Sequence, residues 1–170
     1  MKRLALLSTV FGSVAVMATY TARVQAYADE KSEITAVEQR LLEGFKAKDV
    51  NKIMSCYTPD ESLIVFDLIP PRQYVGAKAY RKDLEDLFAQ YPGPIEADMT
   101  DLNVMADRTL GYAHLIFHGV FTDKDGKKTD TNVRTTDVFR KTGGKWLIVH
   151  EHNSVPVDLA SGKADLTAKP

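Results

Sequence analysis

Cysteine is almost absent from this chain of 170 residues, and its scarcity narrows the chemistry available to the protein. Cys56 is the single cysteine, so neither an intramolecular disulfide nor a paired-cysteine metal site can form. We expect this lone thiol to be buried. The sequence also lacks a Gly-x-Ser-x-Gly motif and a phosphate-binding loop. Hydrolases with a serine nucleophile elbow and P-loop nucleotide-binding proteins are therefore excluded.

The chain also lacks a surplus of charge of either sign, with 22 basic and 23 acidic residues and a net charge of −1 at pH 7. A dedicated nucleic-acid-binding protein usually carries a basic surplus, so no nucleic-acid partner is expected. Aromatic and β-branched residues run through most of the chain, which argues against a disordered protein. The length fits one domain of ~100–200 residues that buries a core without disulfides.

The N-terminal residues have the three parts of a secretory signal peptide. Lys2 and Arg3 supply positive charge, residues 4–20 are uncharged and mostly apolar, and residues 26–28 read Ala-Tyr-Ala. We predict a signal peptide over residues 1–28, a periplasmic or secreted location, and no stable membrane anchor after cleavage. A membrane anchor is the alternative, but serines and threonines dilute an apolar stretch that only borders on the ~20 residues required.

Three amphipathic helices are predicted before Pro94, and strands after it. Ser32 is the expected N-cap of the first helix, Asp49 caps a short second helix, and Gly76 precedes the third. The strand pattern then covers residues 95–105, 110–122, 133–140 and 146–154.

Helices followed by an antiparallel meander predict an α+β domain. The domain is expected to occupy residues 29–158, followed by a flexible tail over residues 159–170. The helices are the available cover for the apolar face of the sheet, and a curved sheet wrapped over them leaves a concave pocket.

Two segments near the C-terminus carry a family resemblance: residues 134–141 (RTTDVFRK) and 144–156 (GKWLIVHEHNSVP). Together with Asp67, the Pro70-Pro71 pair and residues 74–76 (YVG), they resemble SnoaL-like proteins. These proteins belong to the superfamily of nuclear transport factor two and ketosteroid isomerase. The resemblance implies a cone-shaped curved antiparallel sheet wrapped over three helices around an internal pocket. It also implies a homodimer formed through the sheet, and no cofactor or metal.

The last two strands are also similar to the association domain of the calcium/calmodulin-dependent kinase. In that domain, arginines in the pocket hold a small anion. Asp137 and Asn153 occupy two of the corresponding places here, so the positive charge is missing and an anion held in the same way is not expected.

Side chains alternate between the two faces of a strand, and the odd-numbered residues of the last two strands are the ones expected to point inward. Asp137 and Glu151 are then carboxyl groups in a largely apolar pocket, where burial raises a carboxyl pKa and favours general acid or base catalysis. Trp146, His150 and His152 would lie on the outer face. The alternatives are a salt bridge for Asp137 and an exposed strand-end acid for Glu151.

Six further residues are predicted to bind a ligand. The tyrosines among them can donate hydrogen bonds to a ligand. Asp67 directly follows a short predicted strand, and the alternative role for an aspartate at that place is to form a turn. A His-x-His pair at residues 150–152 could be half of a metal site, but interfacial hydrogen bonding is favoured and no metal site is predicted. The six ligand-binding candidates are Tyr57, Asp67, Tyr74, Tyr112, His118 and Asn153.

The sequence thus favours an exported protein with a pocket for a small, partly apolar molecule. A cofactor-independent isomerase or lyase that uses Asp137 or Glu151 for proton transfer is the alternative, on the pattern of ketosteroid isomerase. A third reading is an association module that only oligomerises.

Overall fold

The structure is a computed structural model that describes the backbone of residues 5–169 and the side chains of Gln25 and residues 27–169. The predicted signal peptide, residues 1–28, therefore lies almost wholly outside the described side chains. Helix α1 spans Ala5–Ala47. In the described part of the chain, no helix combines the length and the apolar character needed to cross a membrane.

The predicted start of the first helix at Ser32 was wrong, because α1 is already helical well before this residue. Ala28, Glu30 and Lys31 are all good helix formers, so nothing in the local sequence stops the helix there. The other two helices begin as predicted. Asp49 caps α2 (Val50–Met54) by accepting a hydrogen bond from the Lys52 backbone at 2.9 Å.

Helix α3 spans Ala77–Gln90 and follows Gly76, whose φ of +85° few other residues adopt. The strands are β1 (Ile64–Phe66), β2 (Tyr74–Val75), β3 (Ile95–Ala106), β4 (Leu110–Thr122), β5 (Lys128–Thr142), β6 (Lys145–Ser154), β7 (Val157–Asp158) and β8 (Lys163–Ala164).

Six of these strands form one sheet in the order β2-β1-β6-β5-β4-β3. All neighbouring strands are antiparallel except β1 and β6, which run parallel. The helices lie against one face of this curved sheet. The α+β class and the curved sheet wrapped over three helices are confirmed.

Two irregularities in strand register bend the sheet. One lies in β3 between Thr100 and Asn103, where Asp101 has a φ of +54°. In β6, Val138 pairs with His150 whereas Phe139 pairs with Ile148, so one extra residue stands in β6. Such bulges increase local twist and curvature, which lets a sheet close around helices.

The bulge in β6 also corrects the predicted orientation of Trp146. An extra residue reverses the alternation of side chains, so residues on either side of it follow opposite parities. Before the bulge the even-numbered Trp146 and Ile148 point inward and are buried in the core. After it the odd-numbered Glu151 points inward. His150 and His152 lie on the outer face, beside the ring of Phe66.

The core lies between α1, α2, α3 and the concave face of the sheet. Cys56 is buried in it, as predicted, with its Sγ 3.6 Å from the Val37 carbonyl oxygen. Helix α1 is also attached to the sheet by Glu30, which accepts hydrogen bonds at 2.7 Å from Trp146 Nε1 and from Lys141 Nζ. The largest fully buried apolar side chains include Tyr57, Tyr80, Phe139, Ile34, Ile53, Leu63, Leu84 and Ile148.

Residues 159–169 belong to the predicted flexible tail, but they turn back onto the sheet. Strands β7 and β8 pair with each other, and the Asn132 backbone N–H donates to the Leu166 carbonyl at 2.6 Å. Strand β6 ends opposite Arg134, so the first residues of β5 have no β6 neighbour. The tail covers this otherwise open edge, which the sequence analysis did not anticipate.

Candidate functional site

A cavity of about 340 Å³ lies between the helices and the concave face of the sheet. This volume is in the range of small-molecule sites. Most of the lining is apolar and comes from both layers. Representative side chains are Leu41 and Phe45 from α1, Leu84 and Leu87 from α3, and Phe117 and Val133 from the sheet.

Asp137 and Glu151 both line this cavity, as the sequence predicted. They are direct partners across β5 and β6, and only 0% and 4% of their surfaces are exposed. Both alternative readings are therefore wrong: Glu151 is not an exposed strand-end acid, and Asp137 forms no salt bridge with any residue that the structure describes. Neither carboxyl oxygen of Asp137 has a hydrogen-bond partner among the described residues.

Glu151 is held by three donors that converge on its carboxylate. The Tyr57 hydroxyl donates to Oε2, the Tyr80 hydroxyl donates to Oε1 at 3.0 Å, and Asn153 Nδ2 donates to Oε1 at 2.6 Å. The Asn153 side chain is itself oriented by Thr135, whose hydroxyl donates to Asn153 Oδ1 at 2.7 Å. Hydrogen bonds of this kind stabilise the charged form of a carboxyl group.

A third buried carboxyl group, Glu38, joins this pair from α1. Only 2% of its surface is exposed, and its Oε1 has no partner among the described residues. The sequence analysis missed it, although a signal was present. Glu38 follows Ile34 by four residues and precedes Leu41 by three, so it lies within the apolar stripe of an amphipathic helix.

Burial and mutual repulsion shift the protonation of this cluster towards neutral pH. Burial, reinforced by the charges of Glu38 and Glu151, holds the pKa of Asp137 well above its ordinary value. Burial raises the pKa of Glu38 to about 7. The pKa values of Tyr57 and Tyr80 are also raised, by burial first and by the Glu151 charge second, so both hydroxyls remain donors at neutral pH.

A second group of acids lines the cavity near the start of α3. Asp67 follows β1, and burial together with the Glu151 charge raises its pKa to about 6. Its Oδ1 also accepts the Leu68 backbone N–H at 2.6 Å, so it both forms a turn and faces the cavity. Asp83 lines the cavity as well, and it accepts a hydrogen bond from the Tyr74 hydroxyl at 2.6 Å.

The predicted ligand-binding residues divide into three groups: two line the cavity, two contact acids that line it, and two lie outside it. Asp67 and Asn153 line the cavity. Tyr57 and Tyr74 do not line it, and instead they support the acids that do.

Tyr112 and His118 are misplaced by the prediction, because even-numbered residues of β4 face outward while Leu115 and Phe117 face the cavity. Tyr112 is 40% exposed, and its hydroxyl lies 3.0 Å from the Met105 sulfur. His118 instead lies 3.0 Å from Asp130, outside the cavity. Apolar residues occur at both even and odd positions of β4, so its alternation does not indicate which face points inward.

Metal binding has no support in the described part of the chain, where no group of three or more His, Cys, Asp or Glu side chains is arranged to hold an ion. His150 Nδ1 lies 2.9 Å from the Ile64 carbonyl oxygen, so this ring serves the β1–β6 contact.

A helix-backed curved sheet with an acid-bearing cavity is the architecture that the C-terminal motifs led us to expect. The SnoaL-like domain family matches residues 34–158. The chain belongs to this family. The SnoaL-like match spans all three helices in part or whole and every strand of the six-stranded sheet. No curated protein matches the sequence at a significant level.

Solved structures with the same fold do not share one activity. A nuclear transport factor 2-like protein of unknown function from Pseudomonas putida is 29% identical, with a TM-score of 0.76, and the match covers 84% of this chain and 98% of that one. A proposed dehydratase of the same superfamily from Streptomyces avermitilis is 16% identical over 77% and 99% of the chains, with a TM-score of 0.66. The association domain of C. elegans CaMKII is 21% identical over 76% and 98%, with a TM-score of 0.60.

Proposed function

We propose that this SnoaL-like protein binds a small, partly apolar molecule in its internal cavity. The observation that carries the proposal is the cavity of about 340 Å³, with an apolar lining interrupted by a few buried polar groups. Ligand sites typically combine these two features, because the apolar wall supplies affinity and the polar groups set orientation.

A blocked-cavity variant tests this proposal. Val133 is buried on the cavity side of β5, so Val133→Trp should fill the space. Leu159→Trp, which adds a tryptophan at a position that is 95% exposed and outside the cavity lining, is the control. We expect the neutral dye prodan to shift its emission to the blue with the unmodified protein and the control, and not with Val133→Trp. Equal binding by all three proteins would show that the cavity is not the site.

The second candidate function is cofactor-independent acid/base catalysis, as in an isomerase or lyase. It is favoured by the pairing of two unlike carboxyl groups: Asp137 has no partner, whereas Glu151 accepts three hydrogen bonds. The raised pKa of Asp137 suits it to serve as the acid, and Glu151 would serve as the base. NMR of the carboxyl carbons should show Asp137 titrating well above ~4, and an ordinary value would remove the main support for catalysis.

Export is the third part of the proposal. A charged start, an uncharged apolar stretch and an Ala-Tyr-Ala triplet at residues 26–28 support cleavage after Ala28 and a periplasmic or secreted location. N-terminal sequencing of the protein from its native cells should find Asp29 first. An intact Met1 terminus on protein retained in the cytoplasm would contradict export.

We also propose that the protein is a homodimer through the outer face of the sheet. Phe66, which is 37% exposed, lies against the rings of His150 and His152, and Tyr112, which is 40% exposed, stacks on His114. Clustered exposed apolar residues commonly mark a protein interface.

A further inference from the structure

Acidic side chains interrupt the mostly apolar wall of the cavity. Five carboxyl groups line it, and among the described residues no lysine, arginine or histidine does so. They come from α1, the segment after β1, α3, β5 and β6, so different parts of the fold direct the same charge into one space. The five are Glu38, Asp67, Asp83, Asp137 and Glu151.

Two of these groups have oxygens that the protein leaves without a donor. Apart from protons that these acids share with one another, no donor among the described residues reaches either oxygen of the fully buried Asp137 or Oε1 of Glu38, which is 2% exposed. A buried carboxyl group without a hydrogen bond is unfavourable, so a ligand that brings donors to this spot would relieve the cost. Glu151 differs, since neutral donors from Tyr57, Tyr80 and Asn153 already satisfy it.

Aromatic rings stand around the same space. Phe45, Tyr80, Tyr91, Phe117 and Phe121 all line the cavity. The face of an aromatic ring attracts a cation that has lost its water, and an apolar wall accepts the carbon skeleton that carries it.

A bare metal ion does not suit this wall. A hard metal ion needs a close shell of six to eight oxygens, and no such group of side chains is assembled among the described residues.

We propose that the cavity binds an organic ammonium ion with an apolar body, its N–H groups directed at Asp137 and Glu38. This inference rests on the proposed function, because it names the charge class of the molecule that the cavity holds. An anionic ligand is disfavoured because it would add negative charge to an acidic, low-dielectric space. Burial by itself favours the protonated forms of Asp137 and Glu38, and a bound ammonium ion would lower their pKa values and pair with the carboxylates. A neutral ligand supplies no such charge.

Three probes of similar shape and different charge separate these cases: phenylbutylamine, phenylbutanol and phenylpentanoate, titrated into the purified protein by calorimetry. A hydrogen bond to a charged group is worth enough that the amine should bind about tenfold or more tightly than the alcohol, with the carboxylate weakest. If the alcohol binds as well as the amine, the ammonium inference fails and the proposed function stands. If none of the three binds, both fail.

The ratio of amine to alcohol affinity then tests the named residues, because it cancels any general loss of binding. Asp137→Asn should reduce this ratio by about tenfold. Asp130→Asn removes an acid from the exposed side of the same strand and should leave the ratio unchanged. Glu38→Gln reports on the same site should Asp137→Asn fail to fold. An unchanged ratio in the folded variants of Asp137 or Glu38 would overturn the assignment.

Discussion

Three acids are buried among apolar side chains, and they differ in the number of hydrogen bonds they receive: Glu38, Asp137 and Glu151. Glu151 receives three hydrogen bonds, whereas Asp137 and one oxygen of Glu38 receive none from donors in the described part of the chain. The pKa values of the latter two are therefore raised, mainly by burial. Natural proteins retain such uncompensated groups mostly where function needs them.

This arrangement predicts an unusual dependence of stability on pH. The pKa of Glu38 rises from its ordinary value of 4.5 to about 7 on folding. Between these values the folded protein holds a proton that the unfolded chain has released, so stability falls as the pH rises through this interval. Glu38→Gln cannot lose a proton, and at about pH 8 it should be more stable than the unmodified protein by about 1–3 kcal/mol.

Urea denaturation at about pH 5 and about pH 8 measures this effect. The advantage of Glu38→Gln should shrink at the lower pH, where the folded Glu38 is already protonated. Glu43→Gln, an exposed acid on the same helix, is the control and should show no such gain at the higher pH. A gain of the same size at both pH values would contradict the raised pKa of Glu38.

At the scale of elements, short interruptions of regular structure place the site. The bulge in β6 lets Trp146 and Glu151 point to the same side, one into the core and the other into the cavity. The C-terminal hairpin completes the wall, because Ala164 and Leu166 both line the cavity. It also pairs with the part of β5 that β6 does not reach.

Removal of residues 159–170 should therefore affect β5 as well as the cavity. The Asn132 amide loses its acceptor, the Leu166 carbonyl, and its hydrogen exchange should speed up by about fivefold, the equivalent of about 1 kcal/mol. Prodan should also bind less tightly. The Val138 amide, which lies where β5 has neighbours on both sides, is the internal control. Unchanged exchange at Asn132 would mean that the hairpin does not cover this edge.

The whole molecule presents two faces of opposite character around one sheet. The concave face encloses the cavity, and the convex face exposes Phe66, Met105 and Tyr112 beside histidines. Phe66 contacts the rings of both His150 and His152, at 4.9 and 5.7 Å between ring centroids. A second copy of the chain would bury this cluster.

We expect Phe66→Glu to convert the proposed dimer to a monomer in light scattering, because it places a charge within the exposed apolar cluster. Leu159→Glu is the control, since Leu159 is 95% exposed in the turn between β7 and β8. A protein that is monomeric without any substitution, or a Phe66→Glu variant that stays dimeric, would contradict the proposal of a dimer through the sheet.

Much of the architecture follows from local sequence patterns. The amphipathic stripes of α2 and α3, the cap at Asp49, and the glycine turn at residues 143–144 each depend on a few neighbouring residues, and each was predictable. The family motif at residues 134–156 supplied the curved antiparallel sheet wrapped over helices and the existence of a cavity. Asp137 was placed correctly because β5 keeps a strict alternation along its whole length.

Long-range contacts settled what local patterns left open. The sequence pattern contains no signal for the extra residue in β6, so Trp146 was assigned to the wrong face. In β4 the inward and outward faces were exchanged, so Tyr112 and His118 were wrongly predicted to line the cavity. Glu38 looked like one polar residue in an apolar stripe until the fold brought it to Asp137. Local periodicity specifies helices and strands, but the protonation and partners of a buried acid depend on groups about a hundred residues away, which only packing brings together.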